Sequence, residues 1–160
     1  MITSSGPSEV IEHYKDTVYR IAFTYAKNPS DAEDITYEVF FRYLKCKKAF
    51  NDEEHLKAWL IKVTMNVSNS LFRSTWFRKT VSISEHENLS YEEEPQSETY
   101  DAVLSLPEKY RSVVFLYYYE DYTVGEIAKM LSRTETAVQT QLQRARAMLK
   151  DKLKEDWQSE

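Results

Sequence analysis

The chain has 160 residues and a formal net charge of −5, with only two glycines and four prolines. This length fits one ordinary domain or two small helical ones, and so little glycine and proline argues against sandwiches, barrels and glycine-rich phosphate loops. We expect no membrane-spanning segment, because no run of about 18 apolar residues is present. The single cysteine, Cys46, cannot form an intrachain disulfide, and the first ten residues lack the pattern of a secretory signal. These features predict a cytoplasmic protein.

The negative charge is concentrated in one segment. Residues 81–105 contain seven acidic side chains and no Lys or Arg, whereas residues 1–80 carry twelve basic and ten acidic side chains. Within residues 62–79 there are four basic side chains and no acidic one. A local basic stretch matters more for nucleic-acid binding than the average charge. The overall charge therefore does not exclude a protein that binds DNA.

Apolar spacing predicts a first helix after Ser8, its predicted N-cap, and Asn28-Pro29 is predicted to end it. One face of this helix carries apolar residues at three- and four-residue steps: Ile11, Tyr14, Val18, Ile21 and Tyr25. Residues 30–33 have the S-x-x-E form of a capping box, which predicts that Ser30 caps a second helix. The side of that helix predicted to be buried carries Ala32, Ile35, Val39 and Tyr43. Its other face is predicted to expose Asp34, Glu38, Phe41 and Lys45.

A third helix is predicted after Asn51-Asp52, with an apolar side from Leu56 to Leu71. The cluster of Asn and Ser at 66–69 predicts a break or bend in it. Residues 81–99 are acidic, rich in serine and poor in apolar residues, which is typical of a flexible linker. The predicted fold is therefore all-α, with two small helical domains, residues 1–80 and 100–160, joined by this linker.

Helical spacing returns at Tyr100, and Leu106-Pro107 is predicted to restart a helix with proline in its first turn. Thr123 is the predicted cap of a helix over 124–131, and Thr134 is the predicted cap of the last helix. The last helix has a predicted buried stripe of Val138, Leu142, Ala145 and Leu149. Two helices joined by about three residues match a DNA-binding helix-turn-helix.

The second helix of this motif carries polar residues away from its buried stripe, namely Thr136, Gln139, Thr140 and Gln143, followed by Arg144 and Arg146. Gln can pair bidentately with adenine, and Arg can neutralise phosphate. These residues are therefore candidate DNA contacts. Exposed Gln is also ordinary on a helix surface, so the pattern alone leaves both interpretations open.

Three stretches resemble, in the same order, the motifs of extracytoplasmic-function (ECF) sigma factors, which are small bacterial RNA polymerase sigma factors. DAEDITYEVFFRYLK (31–45) is similar to their core-polymerase-binding helix, KAWLIKVTMNVSNSLFR (57–73) to their −10 recognition stretch, and residues 106–150 to their −35 reading domain. The resemblance covers most of residues 8–154. It implies a protein that binds core RNA polymerase and directs promoter-specific transcription initiation, with no cofactor or metal and no enzymatic activity.

The resemblance also implies roles for individual residues. Asp34, Glu38 and Phe41 would dock on the clamp helices of core RNA polymerase. The residues implied in −10 recognition are Asn66, Asn69, Arg73, Trp76 and Arg78. Those implied in −35 recognition are Thr134, Thr136, Gln139, Thr140, Gln143, Arg144 and Arg146. Trp76 can equally cover the end of the domain core. An anti-sigma factor is the further partner that the resemblance implies, beside core polymerase and promoter DNA.

Some positions depart from the family pattern: Met65 stands for Arg, Ser70 for Asp, Ser132 for the turn Gly, Arg133 for an apolar turn residue, and Gln139 and Gln141 for residues that are often basic. The promoter sequence therefore cannot be assigned by resemblance.

Two alternatives remain: a stand-alone helix-turn-helix regulator that senses a signal through its N-terminal domain, and a sigma-like adaptor that binds protein partners without reading promoters. No catalytic His or Ser lies in a recognisable constellation, and the three histidines lack metal-ligand spacing.

Overall fold

The computed structural model describes residues 6–73 and 98–158 of the chain, with side chains for residues 6–70 and 98–154. All regular elements in these ranges are helices, which confirms the all-α prediction. They belong to two compact units, Met1–Glu93 and Glu94–Glu160. Most of the predicted linker, 81–97, lies outside the described residues.

The first unit contains α1 (Pro7–Ala26), α2 (Pro29–Lys45) and α3 (Glu53–Arg73). Each helix contributes residues that are almost fully buried in a common core: Val18 and Ala22 from α1, Ile35 and Val39 from α2, and Leu56 and Leu60 from α3. Burying a side chain of this size stabilises the fold by about 1.5–3 kcal/mol. The spacing of the apolar residues therefore identified the buried faces, although Ile11 and Tyr43 are only half-buried.

The N-terminal caps of the first two helices differ from the predicted ones. Gly6 is the N-cap of α1, so Ser8 lies exposed in the first turn. Asn28 caps α2, because its side-chain oxygen accepts a hydrogen bond from the Asp31 N–H at 2.9 Å. Pro29 then occupies the first helical position, where a missing N–H costs nothing. The predicted capping box at Ser30 was wrong, because an Asn-Pro pair had already begun the helix.

The predicted break in α3 was also wrong, since the helix is continuous through residues 66–69. Two side-chain hydroxyls in and just before this segment are hydrogen-bonded to carbonyls of the helix itself. Thr64 donates to the Leu60 carbonyl and Ser68 donates to the Thr64 carbonyl, each at 2.6 Å. Both side chains are fully buried together with Val67. Packing therefore holds this segment helical, and the hydroxyls do not compete for other backbone groups.

The second unit contains α4 (Glu98–Leu104), α5 (Glu108–Val114), α6 (Val124–Leu131) and α7 (Glu135–Gln158). A π-helical turn, Phe115–Tyr119, continues α5 directly. The core is formed by Val103, Leu106, Val113, Leu116, Ile127, Val138 and Leu142. Pro107 is the N-cap of α5 and not part of its first turn. Helix α4 begins at Glu98, two residues inside the range predicted for the linker.

Helices α6 and α7 form the predicted helix-turn-helix, with a turn at 132–134. Thr123 caps α6 in a capping box, in which Glu126 N–H donates to the threonine hydroxyl at 3.2 Å and Glu126 Oε1 accepts from Thr123 N–H at 3.0 Å. Thr134 caps α7 by accepting from the Ala137 N–H at 3.0 Å. Both predicted caps are confirmed. In the turn, Ser132 adopts a left-handed conformation with φ 54° and ψ 48°.

Replacing Ser132 by glycine should stabilise the second unit. A non-glycine residue in this conformation costs about 1–2 kcal/mol, and the freer unfolded chain of the glycine variant returns about 0.4–1 kcal/mol of that. We expect Ser132→Gly to raise the free energy of unfolding by about 0.5–1 kcal/mol in urea denaturation followed by circular dichroism. The matched control is Ala147→Gly, at an exposed position inside α7, which should lower it by about 1 kcal/mol. A loss of stability in both variants would contradict backbone strain at Ser132.

Candidate nucleic-acid and partner surfaces

The three residues predicted to form one exposed face of α2 are not all exposed. Phe41 is 52% exposed, but Asp34 is only 7% exposed, and its neighbours Ile35 and Thr36 are fully buried. Glu38 is half-buried, and its carboxylate accepts from Arg42 Nε at 3.0 Å. Asp34 and Phe41 do share a side by helical periodicity. The prediction was wrong for Asp34 because the helix is covered at residues 34–36, whereas its C-terminal end is open.

That open end carries a residue that the sequence analysis missed. Leu44 is 56% exposed and stands three positions after Phe41, so both side chains lie on one side of the helix. The ammonium group of Lys45 lies 4.5 Å from the centre of the Phe41 ring. We call Phe41, Leu44 and Lys45 the α2 patch. Large apolar side chains grouped on a surface are typical of a docking site. The sequence did contain a signal for this patch, because Leu44 is a leucine that lies outside the predicted buried stripe of α2.

Helix α3 presents a polar strip on its outer side. Asn66 is exposed, as are Lys62 and Ser70, which lie four residues before and after it. Asn69 is half-buried beside this strip. Met65, which stands where the family usually has Arg, is 4% exposed and belongs to the core. The position before Asn66 therefore faces inward in this protein. The side chain of Arg73, and Trp76 and Arg78 entirely, lie outside the described residues.

The predicted −35 residues are brought together on the outer surface of α7. Thr134, Thr136, Gln139, Gln143, Arg144 and Arg146 are exposed, and Thr140 is half-buried. They lie away from the buried stripe of the helix. The three residues of that stripe, Val138, Leu142 and Ala145, are each 2% exposed or less. Thr134 also serves as the helix cap, so its hydroxyl accepts one backbone hydrogen bond before any ligand is present. Leu149, predicted to be buried, is half-buried.

One arginine of this surface is held by tyrosines. Arg146 Nε donates a hydrogen bond to the Tyr118 hydroxyl at 2.6 Å, and its guanidinium lies 5.7 and 5.8 Å from the ring centres of Tyr118 and Tyr117. The other arginine, Arg144, lowers the pKa of Tyr110. No spacing pattern assigns the tyrosine run at 117–119 a chemical role, and the contact to Arg146 crosses 28 positions of the chain.

The turn of the helix-turn-helix supplies another cation. Arg133 Nη1 donates to the Lys109 carbonyl oxygen at 3.2 Å and to Gln141 Oε1 at 2.8 Å. The side chain of Gln141 therefore orients an arginine that comes from the turn. The ammonium group of Lys109 lies 5.0 Å from the ring centre of Tyr110. Arg133 and Lys109 thus add basic side chains from the turn and from α5 beside α7.

Among the described residues, no group of three or more His, Cys, Asp or Glu side chains is placed to hold a metal ion. In the same part of the chain, no helix combines the length and apolar character needed to cross a membrane.

Comparison with known proteins identifies both units. The family model for Sigma-70 region 2 matches residues 10–78, and that for Sigma-70, region 4 matches residues 96–149. RNA polymerase sigma factor SigV of Bacillus subtilis is 28% identical over 153 residues, covering 91% of this chain and 90% of the relative. ECF RNA polymerase sigma factor SigW of the same organism is 24% identical over 168 residues, covering 92% and 89%.

Two solved structures share the fold. The sigma factor RpoE, in complex with the anti-sigma factor NepR from Bartonella quintana, has a TM-score of 0.72 at 16% identity and covers 92% of this chain and 96% of that chain. CnrH, in complex with the cytosolic domain of CnrY, has a TM-score of 0.67 at 18% identity and covers 94% and 88%.

The contact between Arg144 and Tyr110 can be measured by titration. The hydrogen bond from Arg144 lowers the pKa of Tyr110 below the ordinary value of 10.0, with a further contribution from Lys109. The ultraviolet difference titration between the wild type and Tyr110→Phe should therefore show a tyrosinate that forms below pH 10.0. The folded state gains stability as pH rises through that pKa towards 10.0, because the unfolded chain then binds more protons.

Tyr43→Phe is the control for this titration, since burial raises the pKa of Tyr43 above 10.0. Its difference signal should appear on the alkaline side. A Tyr110 signal at or above pH 10.0 would contradict the contact with Arg144.

Proposed function

The chain belongs to the extracytoplasmic-function sigma factors, and on that premise we propose that it binds core RNA polymerase and directs promoter-specific transcription initiation. The observation that carries this proposal is the match of sigma-70 regions 2 and 4, in that order, to residues 10–78 and 96–149. The protein would act in the cytoplasm with the polymerase and would catalyse no reaction itself. Promoter melting would draw on binding energy, because capture of an unstacked base offsets a cost of roughly a few kcal/mol.

We assign residues 1–80 to polymerase binding and −10 recognition, residues 81–99 to a linker, and residues 100–160 to −35 recognition. The two compact units are consistent with this division. The acidic composition of 81–99 is the support for the linker.

The α2 patch is the proposed docking surface for the clamp helices of core polymerase. Phe41 and Leu44 are more than half exposed, and covering them on a partner would remove apolar area from water. Lys45 stays beside the Phe41 ring at 4.5 Å and would contribute a charge at the rim. Glu38 adjoins this surface through its ion pair with Arg42. Asp34 is only 7% exposed, so we leave it out of the proposed docking surface.

For the −10 element we propose that Asn66 holds a base flipped out of the duplex. Its exposure between Lys62 and Ser70 supports this role. The ammonium group of Lys62 and the hydroxyl of Ser70 are then available on the same strip to contact the DNA backbone. Asn69, Arg73, Trp76 and Arg78 remain candidates for the same element.

For the −35 element we propose that α7 enters the major groove. Gln139, Gln143, Thr136 and Thr140 would face base edges there, and Arg144 and Arg146 would contact phosphates. Arg133, oriented by Gln141, supplies a cation next to positions that are often basic in the family.

We further propose that an anti-sigma factor restrains this protein. Of the two structures that share its fold, one holds the sigma factor RpoE with the anti-sigma factor NepR, and the other holds CnrH with the cytosolic domain of CnrY.

The docking surface predicts a specific loss of polymerase binding. Phe41→Ala combined with Leu44→Ala should weaken binding to core polymerase by roughly tenfold or more, since truncation of a central interface anchor costs on the order of 2 kcal/mol. Binding is measured by competition with the wild-type protein. Helical content should not change, because both side chains are exposed.

The matched control is Phe41→Tyr combined with Leu44→Met, which keeps most of the apolar area and should retain binding. If the alanine variant competes as well as the wild type, the docking surface lies elsewhere on the protein.

The −35 assignment predicts two different losses. Gln139→Ala should cost about 1–3 kcal/mol at one promoter position and relax preference there. Arg144→Ala should weaken binding to all sequences and reduce the salt dependence by about one phosphate contact. The measurement is transcription by reconstituted holoenzyme on promoters varied across the −35 element, at two salt concentrations.

Lys154→Ala is the control, because it removes an exposed cation near the far end of α7. If Gln139→Ala and Arg144→Ala both leave initiation and its salt dependence unchanged, α7 does not read DNA and the adaptor alternative is favoured. DNA binding and regulation that do not require polymerase would instead favour the stand-alone regulator.

A further inference from the structure

Arg144 and Arg146 leave α7 in opposite directions. The two residues are two positions apart, so their side chains diverge by about 200° around the helix axis. Gln143 lies between them on the exposed surface. A helix seated in a major groove has one phosphate strand on each side of the residues that face the bases. The two arginines are therefore directed towards different flanks of the helix.

Arg146 meets a tyrosine from another element of the unit. Its Nε is hydrogen-bonded at 2.6 Å to Tyr118, which belongs to the π-helical turn and is 50% exposed. This contact is therefore displayed on the surface.

The tyrosines of the π-helical turn have two different kinds of contact. Tyr119 stacks on Phe115 with ring centres 5.1 Å apart and meets Tyr100 edge-on at 6.1 Å, so it belongs to the packing of the unit. Tyr117 and Tyr118 meet edge to face at 4.9 Å, and the Arg146 guanidinium lies within 6 Å of both ring centres. This geometry allows cation–π attraction as well as the hydrogen bond.

Tyr118 binds only the Nε–H of Arg146, so the two terminal nitrogens of the guanidinium remain available. A guanidinium has five N–H donors, and Tyr118 accepts from Nε. The two terminal nitrogens can then bind a phosphate bidentately. An arginine already held in place loses less side-chain freedom when it binds, which favours affinity without adding a contact.

We infer that Tyr118 is a positioning residue, which holds Arg146 against a phosphate of one of the strands that border the −35 major groove. The inference rests on the proposed function, since it requires that α7 binds promoter DNA. Tyr117, in edge-to-face contact with Tyr118, completes the aromatic pair against which Arg146 lies.

The test is a double-mutant cycle on promoter binding. Full-length protein is assembled with core polymerase, and the DNA is a promoter fragment that the wild-type holoenzyme selects from a genomic library. Arg146→Ala should lower the slope of log K against log salt by about one phosphate contact. Tyr118→Phe keeps the ring and removes the hydroxyl. It should weaken binding roughly 2- to 10-fold with the slope unchanged, because the charge remains but is no longer held in place.

The coupling between the two residues decides the inference. In the Arg146→Ala background, Tyr118→Phe should have no further effect. The ¹⁵N NMR signal of the Arg146 side-chain Nε–H should shift in free Tyr118→Phe protein and stay in place in Tyr119→Phe, which is the matched control. Tyr119→Phe should also leave promoter affinity unchanged.

Three results would overturn the inference. An equal loss in both backgrounds would mean that Tyr118 contacts the DNA itself. Tighter binding by Tyr118→Phe would mean that the tyrosine holds Arg146 away from the phosphates. Unchanged affinity would mean that the contact plays no part in binding. If the wild-type holoenzyme selects no promoter at all, the proposed function fails instead, and this outcome is distinct from the other three.

Discussion

The rotation of α7 about its own axis is the constraint on which every assignment in the second unit depends. Val138, Leu142 and Ala145 are buried against the core and fix that rotation. Turning the helix by one residue would expose this stripe and bury polar side chains, at a cost of about 25 cal/mol for each Å² of apolar area returned to water. The positions of Gln139, Gln143 and both arginines follow from this packing.

Sequence reasoning succeeded where the decisive interaction is local. Thr123 and Thr134 were identified as caps because each satisfies backbone groups within three residues. It failed where two local signals compete or where packing decides. At α2 the Asn28 cap precedes the Ser30 signal by two residues and prevails. In α3 the buried hydroxyls of Thr64 and Ser68 donate to carbonyls of the same helix. An Asn- and Ser-rich sequence does not by itself reveal this arrangement.

The site was harder to predict than the fold because exposure depends on the neighbouring elements. Periodicity places Asp34 and Phe41 on one side of α2, yet only the end carrying Phe41 and Leu44 is uncovered. The α7 residues were predicted because they share one helix. Their supports were not, since Tyr110, Tyr118 and Arg133 come from other elements and no pattern along the chain connects them to α7. The two departures at Arg133 and Gln141 acquire a common explanation only in the structure, where Gln141 orients Arg133.

The contacts around α7 also explain how a chain of net charge −5 can bind DNA. Charges act on a phosphate over a Debye length of about 8–10 Å at moderate salt, so local grouping outweighs the total. Arg133 is oriented by Gln141 and lies against the Lys109 carbonyl, and Arg146 is held by Tyr118. The excess of acidic over basic side chains lies at 81–105. Two neutral glutamines in the recognition helix therefore do not leave it without cations, because the turn and α5 supply them from the side.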